Sequence, residues 1–270
     1  ERQAAAPARD HIEHVQDFRA IKHYAVECKQ VFSGRRWGIT GEAGFFHDPF
    51  YSPGSDFIAF SNTFLTDLIR RDLAGKEFRI RAFSYDRIYK RFYYGTAKAY
   101  QDQYCMFGNP NVMPVKILWD YLIYWSITAF IFMQGRMCEQ TMYLRNLSRL
   151  KKLGKLNEFM QEFFREWHAD TADLPATGSV NISEMPIIRE MNTRLLEERS
   201  RGEYFRRFAA NVDQLETLAC EIVEQSGLEI EHPFGRHTSD AIRPHAFQQI
   251  FDSTLPQPGG QAERENVLVG

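Results

Sequence analysis

A segment rich in glycine and proline, residues 41–62, separates two different kinds of sequence in this chain. Before it, β-branched and aromatic residues in partial alternation at 21–32 predict a strand, and residues 37–40 predict a second, short strand after a turn at 34–36. After it, apolar residues recur at helical spacing over most of the remaining length. The segment must therefore contain a strand-to-helix turn. The chain is predicted to be α+β, with short β-strands followed by a mainly α-helical region.

The first helix after this turn is marked at both ends. Ser55 is a good N-cap residue with Asp56 in the first turn, and Gly75 is the expected stop. Its apolar face is formed by Phe57, Ile58, Phe60, Phe64, Leu65, Leu68 and Ile69. Further helices are predicted at 84–107, 115–136 with an extension into 139–152, 155–168, 187–199 and 204–225, with a loop at 173–183 and an irregular tail from 232.

Composition narrows the class of protein. Of 270 residues, 44% are apolar and 25% charged, which is typical of a soluble globular protein with a core. The net charge of -2 gives no long-range attraction for nucleic acid or an anionic membrane. The uncharged run 121–133 is shorter than the roughly 20 residues of a spanning helix, and Lys116 and Asp120 precede it. We therefore expect a cytoplasmic protein with no integral membrane segment and no nucleic-acid partner.

The cysteines and histidines do not predict a metal site. Cys28, Cys105, Cys138 and Cys220 are scattered without a CxxC motif, so we interpret them as reduced core thiols. His232, His237 and His245 lie in a proline-interrupted tract with no cysteine or carboxylate at ligand spacing.

The start of the first helix is the candidate binding site. Its unpaired backbone N–H groups and the positive end of its dipole favour an anionic group, a phosphate or an electron-rich ring edge. Gly44 and Gly54 allow close approach of a flat ligand, and the Glu42 carboxylate can accept hydrogen bonds from sugar or ribitol hydroxyls. An ordinary strand–turn–helix junction has the same features, so these features alone leave both interpretations open.

Residues 46–54, FHDPFYSPG, contain Phe46, Pro49, Ser52 and Gly54 in the pattern F-x-x-P-x-x-S-x-G. This pattern resembles the signature of flavin-dependent halogenases. The flanking stretches DFRAIKHYAVECKQVFSGRRWGITGEAG and SDFIAFSNTFLTDLI are similar to halogenase-like proteins of bacterial aryl-polyene and related pigment clusters. The resemblance is dense over 17–75 and thin afterwards.

The resemblance implies an FAD-dependent monooxygenase-type fold and a set of cofactor contacts. In such enzymes a Gly-Asp pair at a strand end contacts the ribitol of FAD, and the corresponding pair here is Gly41 and Glu42. The implied FAD-binding residues are Gly41, Glu42, Ala43, Asp48, Pro49, Ser52, Gly54 and Ser55. His47, inside the motif loop, is expected to touch flavin or substrate.

Two departures from the pattern concern halogenation. Family members hold halide with backbone N–H groups around the S-x-G turn, here Ser52, Pro53 and Gly54, and proline has no N–H. Tryptophan halogenases carry a substrate-contacting Glu just before the motif Ser, where this chain has Tyr51. A flavin hydroxylase or dehydrogenase therefore remains an alternative, as does a non-enzymatic helical interaction module.

Other family features are missing from this sequence. It has no G-x-G-x-x-G dinucleotide-binding motif, no W-x-W-x-I-P signature and no initiating Met, and the halogenase's catalytic Lys cannot be located. We therefore expect the C-terminal portion of a longer oxidoreductase, inactive by itself and with no catalytic residue assigned. The expected divisions are a partial N-terminal segment at 1–16, the end of the FAD-binding region at 17–75, a helical region at 76–231 and the tail at 232–270.

The expected partners are a flavin reductase that supplies reduced flavin and a small-molecule or carrier-bound aromatic substrate. The aromatic-rich segment 84–107 is either a central core helix or one wall of an aromatic or polyene substrate pocket. The basic run Arg145, Arg149, Lys151 and Lys152 is interpreted as a solvated helix face.

Overall fold

The strands in this computed structural model, which describes residues 25–172 and 185–228, are short. They are β1 (Val26–Glu27), β2 (Phe32–Ser33), β3 (Trp37–Gly38) and β4 (Phe45–Phe46). β1 pairs antiparallel with β4, with Val26 opposite Phe46, and β2 pairs antiparallel with β3, with Phe32 opposite Gly38. These pairs form two separate two-stranded sheets.

The continuous strand predicted at 21–32 is wrong over its described part. The backbone N–H groups of Val31 and Phe32 donate to the buried Asp86 carboxylate, at 2.6 and 3.3 Å from Oδ1, instead of to a neighbouring strand. The strand predicted at 37–40 is also shorter than expected, since Ile39 N–H donates to Val31 O outside the ladder.

Most of the remaining described residues are helical. They are α1 (Pro53–Leu73), α2 (Arg79–Ala97), α3 (Met113–Met133), α4 (Gln140–Arg145), α5 (Leu147–Thr171), α6 (Pro186–Arg194) and α7 (Arg201–Ser226). Single 3₁₀ turns lie at Gly41–Ala43 and Tyr104–Met106.

The start of α1 corrects the sequence prediction. The helix begins at Pro53 and not after Ser55, because the fixed φ of proline suits the first helical position and its missing N–H would be unpaired there anyway. The N-cap residue is therefore Ser52, in a left-handed conformation, and Ser55 lies in the first turn. The predicted end is confirmed, with Gly75 at φ +65° just beyond Leu73.

The predicted helix at 84–107 is displaced toward the N-terminus. α2 begins at Arg79, where the Glu77 carboxylate accepts the N–H of Ile80, and it ends at Ala97. Tyr104–Met106 is a separate turn. Residues 139–168 divide at Asn146 into α4 and α5, α6 is shorter than predicted, and α7 begins with a capping box of Ser200 and Glu203. The predicted loop at 173–183, the tail and the three tail histidines lie outside the described residues.

One continuous hydrophobic core runs from Val31 to Val223 and joins strands β2 and β4 to each of the helices named above. Tyr85, Tyr89 and Tyr93, spaced by four residues on α2, are buried against α1, with Tyr85 stacked on Phe64 at a centroid distance of 4.5 Å. The opposite face of α2 exposes Phe83. α2 thus has one buried aromatic face, as expected of a core helix, and is not buried on all sides. The division of the chain into the end of an FAD-binding region at 17–75 and a helical region at 76–231 stays a prediction.

α3 is longer than the uncharged run in the sequence. Met113–Met133 is long and apolar enough to cross a membrane by length and composition, and 61% of its most apolar window is buried inside the protein. Residues 124–129 form a π-helical segment, and the Asn211 side-chain amide of α7 donates to Ser126 O at 2.7 Å within it.

The four cysteines differ in how far they are exposed. Cys28, Cys138 and Cys220 are half-buried, while Cys105 is exposed, so the expectation of core thiols is wrong for Cys105. Burial raises the pKa of Cys138 to about 11.

In the basic run, Lys152 pairs with Glu216 of α7 at 2.7 Å and Arg145 lies over the Phe205 ring, so these two side chains join helices.

We predict that Gly41→Ala destabilises the protein more than Gly75→Ala. Both glycines have positive φ, which costs a non-glycine residue about 1–2 kcal/mol. A Cβ at Gly41 would also lie 2.5 Å from Cγ1 of Ile58, whereas nothing lies within 4 Å of one at Gly75. Overpacking adds about 1–3 kcal/mol at Gly41 only. Urea unfolding measures both variants, and equal losses of unfolding free energy would contradict the packing argument.

Candidate functional site

The 3₁₀ turn Gly41–Ala43 is fixed against the first turns of α1. Gly41 N–H donates to Ser61 Oγ at 2.8 Å, and that hydroxyl donates to Phe57 O at 2.7 Å. Ser61 and Gly41 are buried, and Gly41 has the positive φ that favours glycine. Glu42 is thereby held beside the start of α1.

The Glu42 side chain packs directly on Gly54. A Cβ built on Gly54 would overlap Oε1 of Glu42, so a larger residue at this motif position would displace the exposed carboxylate. The sequence predicted Gly54 as a point of close approach for a ligand, and the group that makes this approach is the carboxylate of Glu42. It lies where the helix dipole favours a negative charge.

A cleft of about 190 Å³ opens at this helix start. Its walls include all four fixed positions of the F-x-x-P-x-x-S-x-G pattern. The lining residues are Glu42, Phe45, Phe46, His47, Asp48, Pro49, Ser52, Pro53, Gly54, Ser55 and Phe57. Of the predicted cofactor contacts, Glu42, Asp48, Pro49, Ser52, Gly54 and Ser55 therefore come together, while Gly41 and Ala43 do not line the cleft.

Short-range hydrogen bonds shape the motif loop. Asp48 Oδ1 accepts the N–H of Phe50 at 2.9 Å, and Pro49 O accepts the N–H of Ser52 at 2.8 Å. Ser52 then takes φ 54° before the chain enters α1 at Pro53. The loop is thus a tight turn, after which the first turn of α1 begins at the edge of the cleft.

The start of α1 offers few backbone donors and has a carboxylate beside it. Pro53 is buried and offers no N–H, so the first helical donors are those of Gly54, Ser55 and Asp56. Asp56 Oδ1 accepts the Tyr124 hydroxyl at 2.7 Å, and burial raises the Asp56 pKa. The Glu42 carboxylate, packed on Gly54, therefore adjoins the place where the resemblance implies a halide, whereas the Asp56 carboxyl group is bonded to Tyr124 and does not line the cleft.

His47 lies half-buried in the cleft wall. Its ring stacks on Tyr93 at a centroid distance of 3.8 Å, and Nε2 is 2.9 Å from Tyr93 O. Because a carbonyl oxygen only accepts, Nε2 carries the hydrogen and Nδ1 is the acceptor in the neutral ring. Burial lowers the His47 pKa, which favours this neutral form. The expectation that His47 touches flavin or substrate stays a prediction.

Tyr51 faces away from the cleft. Its hydroxyl donates to Asp120 Oδ2 at 2.7 Å, and burial raises its pKa far above the ordinary value. The residue at the position of the substrate-contacting Glu of tryptophan halogenases is therefore bonded inside the protein.

Exposed and half-buried aromatic rings continue from the motif loop across the surface. We name this the aromatic strip: Tyr104, Phe107, Phe50, Tyr51, Tyr121 and Trp125, each ring in contact with the next at centroid distances of 4.7, 4.6, 4.5, 5.9 and 5.4 Å. Phe50 is 40% and Tyr104 49% exposed. Sequence analysis left the segment 84–107 open as either a core helix or one wall of an aromatic pocket, and it missed this strip because the rings come from separate segments without a common periodicity.

A second groove lies at the other end of α1. It measures about 470 Å³ and is lined by Gly34, Arg35, Arg36, Phe78 and Arg79, none of which belongs to the motif. Arg36 is paired with Asp72 at 2.8 Å. Among the described residues, no group of three His, Cys, Asp or Glu side chains is arranged to hold a metal ion.

Comparison with known proteins gives one partial similarity. No family model and no solved structure matches the chain. Over 113 residues it is 27% identical to the flavin-dependent halogenase chlA of Dictyostelium discoideum, a stretch that covers 41% of this chain and 19% of that halogenase. The chain thus spans about a fifth of the relative's length. The similarity relates this stretch to a flavin-dependent halogenase and points to a flavin cofactor, without extending to the pigment-cluster type or to FAD in particular.

Proposed function

We propose that this chain supplies the flavin-facing wall of an FAD-dependent oxidoreductase of the monooxygenase type, related to the halogenases. The observation that carries the proposal is that Phe46, Pro49, Ser52 and Gly54 all line one cleft at the start of α1. A purely structural junction would not need these four positions to face the same opening.

The residues of the cleft suit one edge of a flavin. The Glu42 carboxylate, which is exposed, accepts hydrogen bonds from ribitol hydroxyls, and the N–H groups of Gly54 and Ser55 face an electron-rich ring edge. Reduced flavin, when bound, would react with oxygen. The residues of this chain would bind the flavin and orient it.

The cleft is only part of a cofactor site. Ligand sites usually measure about 300–1,000 Å³, and this cleft measures about 190 Å³. We propose that the remaining walls, including the site for the pyrophosphate, belong to a longer protein, in line with the 19% of the halogenase that the similarity covers.

The substrate we propose is an aromatic or polyene-type molecule, free or carrier-bound. The aromatic strip supports this, since Phe50 joins the strip directly to Pro49 in the cleft wall. Flat ligands gain from offset stacking on such rings. A separate flavin reductase is the proposed partner and the cytoplasm the proposed location, with no role for nucleic acid.

A flavin hydroxylase or dehydrogenase is the second candidate. Pro53 offers no N–H, and the Glu42 carboxylate packs on Gly54 at the helix start, so a halide there meets fewer donors and a nearby negative charge. These observations favour oxygen transfer or dehydrogenation over halogenation. The four motif positions around one cleft count against the non-enzymatic module.

We predict that the chain alone retains no FAD and that Gly54→Ala weakens FAD binding in the full-length protein. The added methyl group displaces the exposed Glu42 carboxylate, so the unfolding free energy changes little while FAD affinity falls about tenfold, equivalent to ~1.4 kcal/mol. Glu42→Ala is expected to lose about 1.5–3 kcal/mol of binding free energy. Flavin fluorescence titration gives the dissociation constants.

Gly95→Ala is the matched control, since a Cβ at this α2 glycine meets nothing within 4 Å. Wild-type FAD affinity in both Gly54→Ala and Glu42→Ala would refute the assignment of the cleft. Yellow flavin retained by the isolated chain through gel filtration would refute the partial site.

We predict that NADH does not reduce the flavin of the full-length protein unless a flavin reductase is added. Nothing in this sequence resembles a nicotinamide site. Stopped-flow absorbance of the bound flavin measures this rate. Rapid reduction by NADH alone would indicate a single-component oxidoreductase.

We predict that the full-length protein, given reduced FAD and oxygen, incorporates little chloride and at most bromide. Bromide is less strongly hydrated and suffers less from the missing donor at Pro53. Pro53→Ser restores one N–H and is expected to strengthen the dependence on halide, whereas Pro114→Ser, at the start of α3, is expected not to. Product mass spectrometry is the measurement. Efficient chlorination by the unmodified protein would show that the missing donor is irrelevant.

A further inference from the structure

A buried ion pair lies on α3 beneath the motif loop. Nζ of Lys116 is 2.5 Å from Oδ2 of Asp120 one helical turn away, and the two side chains are 1% and 7% exposed. Burying two charges is unfavourable unless good geometry and further hydrogen bonds compensate for lost water. The other groups that hydrogen-bond to Lys116 and Asp120 therefore show which segments the ion pair holds together.

Three segments meet at the pair. Lys116 Nζ also donates to Ala99 O at 3.1 Å, beyond the end of α2. Asp120 Oδ1 accepts the side-chain amide of Gln161 on α5 at 2.7 Å, and Oδ2 accepts the Tyr51 hydroxyl at 2.7 Å. Tyr51 brings the motif loop into this network.

The hydrogen bond between Tyr51 and Asp120 lies next to Ser52, which has the least favourable backbone conformation in the loop. Ser52 has φ 54°, a left-handed conformation that a non-glycine residue keeps only when its surroundings hold it there. On one side of Ser52, Tyr51 is bonded to Asp120, and on the other, Pro53 is buried at the start of α1. Both neighbours are thus fixed in the core while Ser52 itself lines the cleft.

The same bond sets the direction of the Tyr51 ring. The ring packs against Tyr100 at a centroid distance of 5.7 Å and lies 5.7 Å from Lys116 Nζ. Tyr51 is absent from the cleft wall although both of its neighbours in the pattern, Pro49 and Ser52, belong to it. Released from Asp120, the ring would be free to turn toward the opening.

We propose that Asp120, held by Lys116 and Gln161, is a positioning residue for the cleft. It draws Tyr51 inward, keeps the Tyr51 ring out of the opening and holds Ser52 in the left-handed conformation from which α1 starts. Asp120 acts on the ligand site through Tyr51. The inference deepens the proposed function, because the site that it positions is the candidate flavin cleft.

The test removes the hydroxyl that links the loop to the pair. Tyr51→Phe keeps the ring and leaves Lys116, Asp120 and Gln161 in place. Tyr85→Phe is the matched control, because it removes a tyrosine hydroxyl that donates to a carboxylate, Asp67 Oδ2, at 2.6 Å but lies away from the cleft. Hydrogen exchange of the two hydrogen-bonded amides of the loop, Phe50 N–H to Asp48 Oδ1 and Ser52 N–H to Pro49 O, is measured in this chain, and FAD affinity in the full-length protein.

We expect exchange of these amides to be about tenfold faster in Tyr51→Phe than in the wild type and unchanged in Tyr85→Phe, with FAD binding about tenfold weaker only in Tyr51→Phe. Faster exchange with unchanged FAD affinity would support the positioning role and refute the flavin site. Unchanged exchange in Tyr51→Phe, or equal acceleration in both variants, would overturn the positioning role whatever the FAD affinity.

Discussion

The junction between Gly41 and Ser61 is the contact on which the candidate site depends. It joins the 3₁₀ turn to the first turns of α1 through a buried hydrogen bond of 2.8 Å and a glycine at positive φ. With this point fixed, residues 44–52 must arch back over the start of the helix. Glu42 then lies against Gly54, and the motif loop closes a cleft around the helix start.

Side chains far along the chain supply partners that local sequence lacks. Asp86 of α2 accepts the N–H groups of Val31 and Phe32. Tyr124 of α3 donates to Asp56 and so ties the π-helical segment to the first turn of α1. The region around the motif is therefore built on the helices behind it, and we expect it to depend on them for its shape.

Sequence analysis located the motif loop, the stop at Gly75 and most helices, because turn residues and helical periodicity are local signals. It misplaced the strand at 21–32 since the carboxylate that replaces a neighbouring strand is more than fifty residues away in sequence. It placed the N-cap at Ser55 because it considered only which side chains cap helices well and left out the fixed φ of Pro53, which suits the first helical position. The inward turn of Tyr51 depends on Asp120, at a sequence distance that no local pattern encodes.

We propose above all that the start of α1 contacts the flavin. The most direct measurement is a crystal structure of the full-length protein grown with FAD. We expect the ribitol hydroxyls to lie within hydrogen-bond distance of Glu42 and one edge of the ring system to face the N–H groups of Gly54 and Ser55. A flavin bound elsewhere, with no contact to residues 42–57, would contradict it.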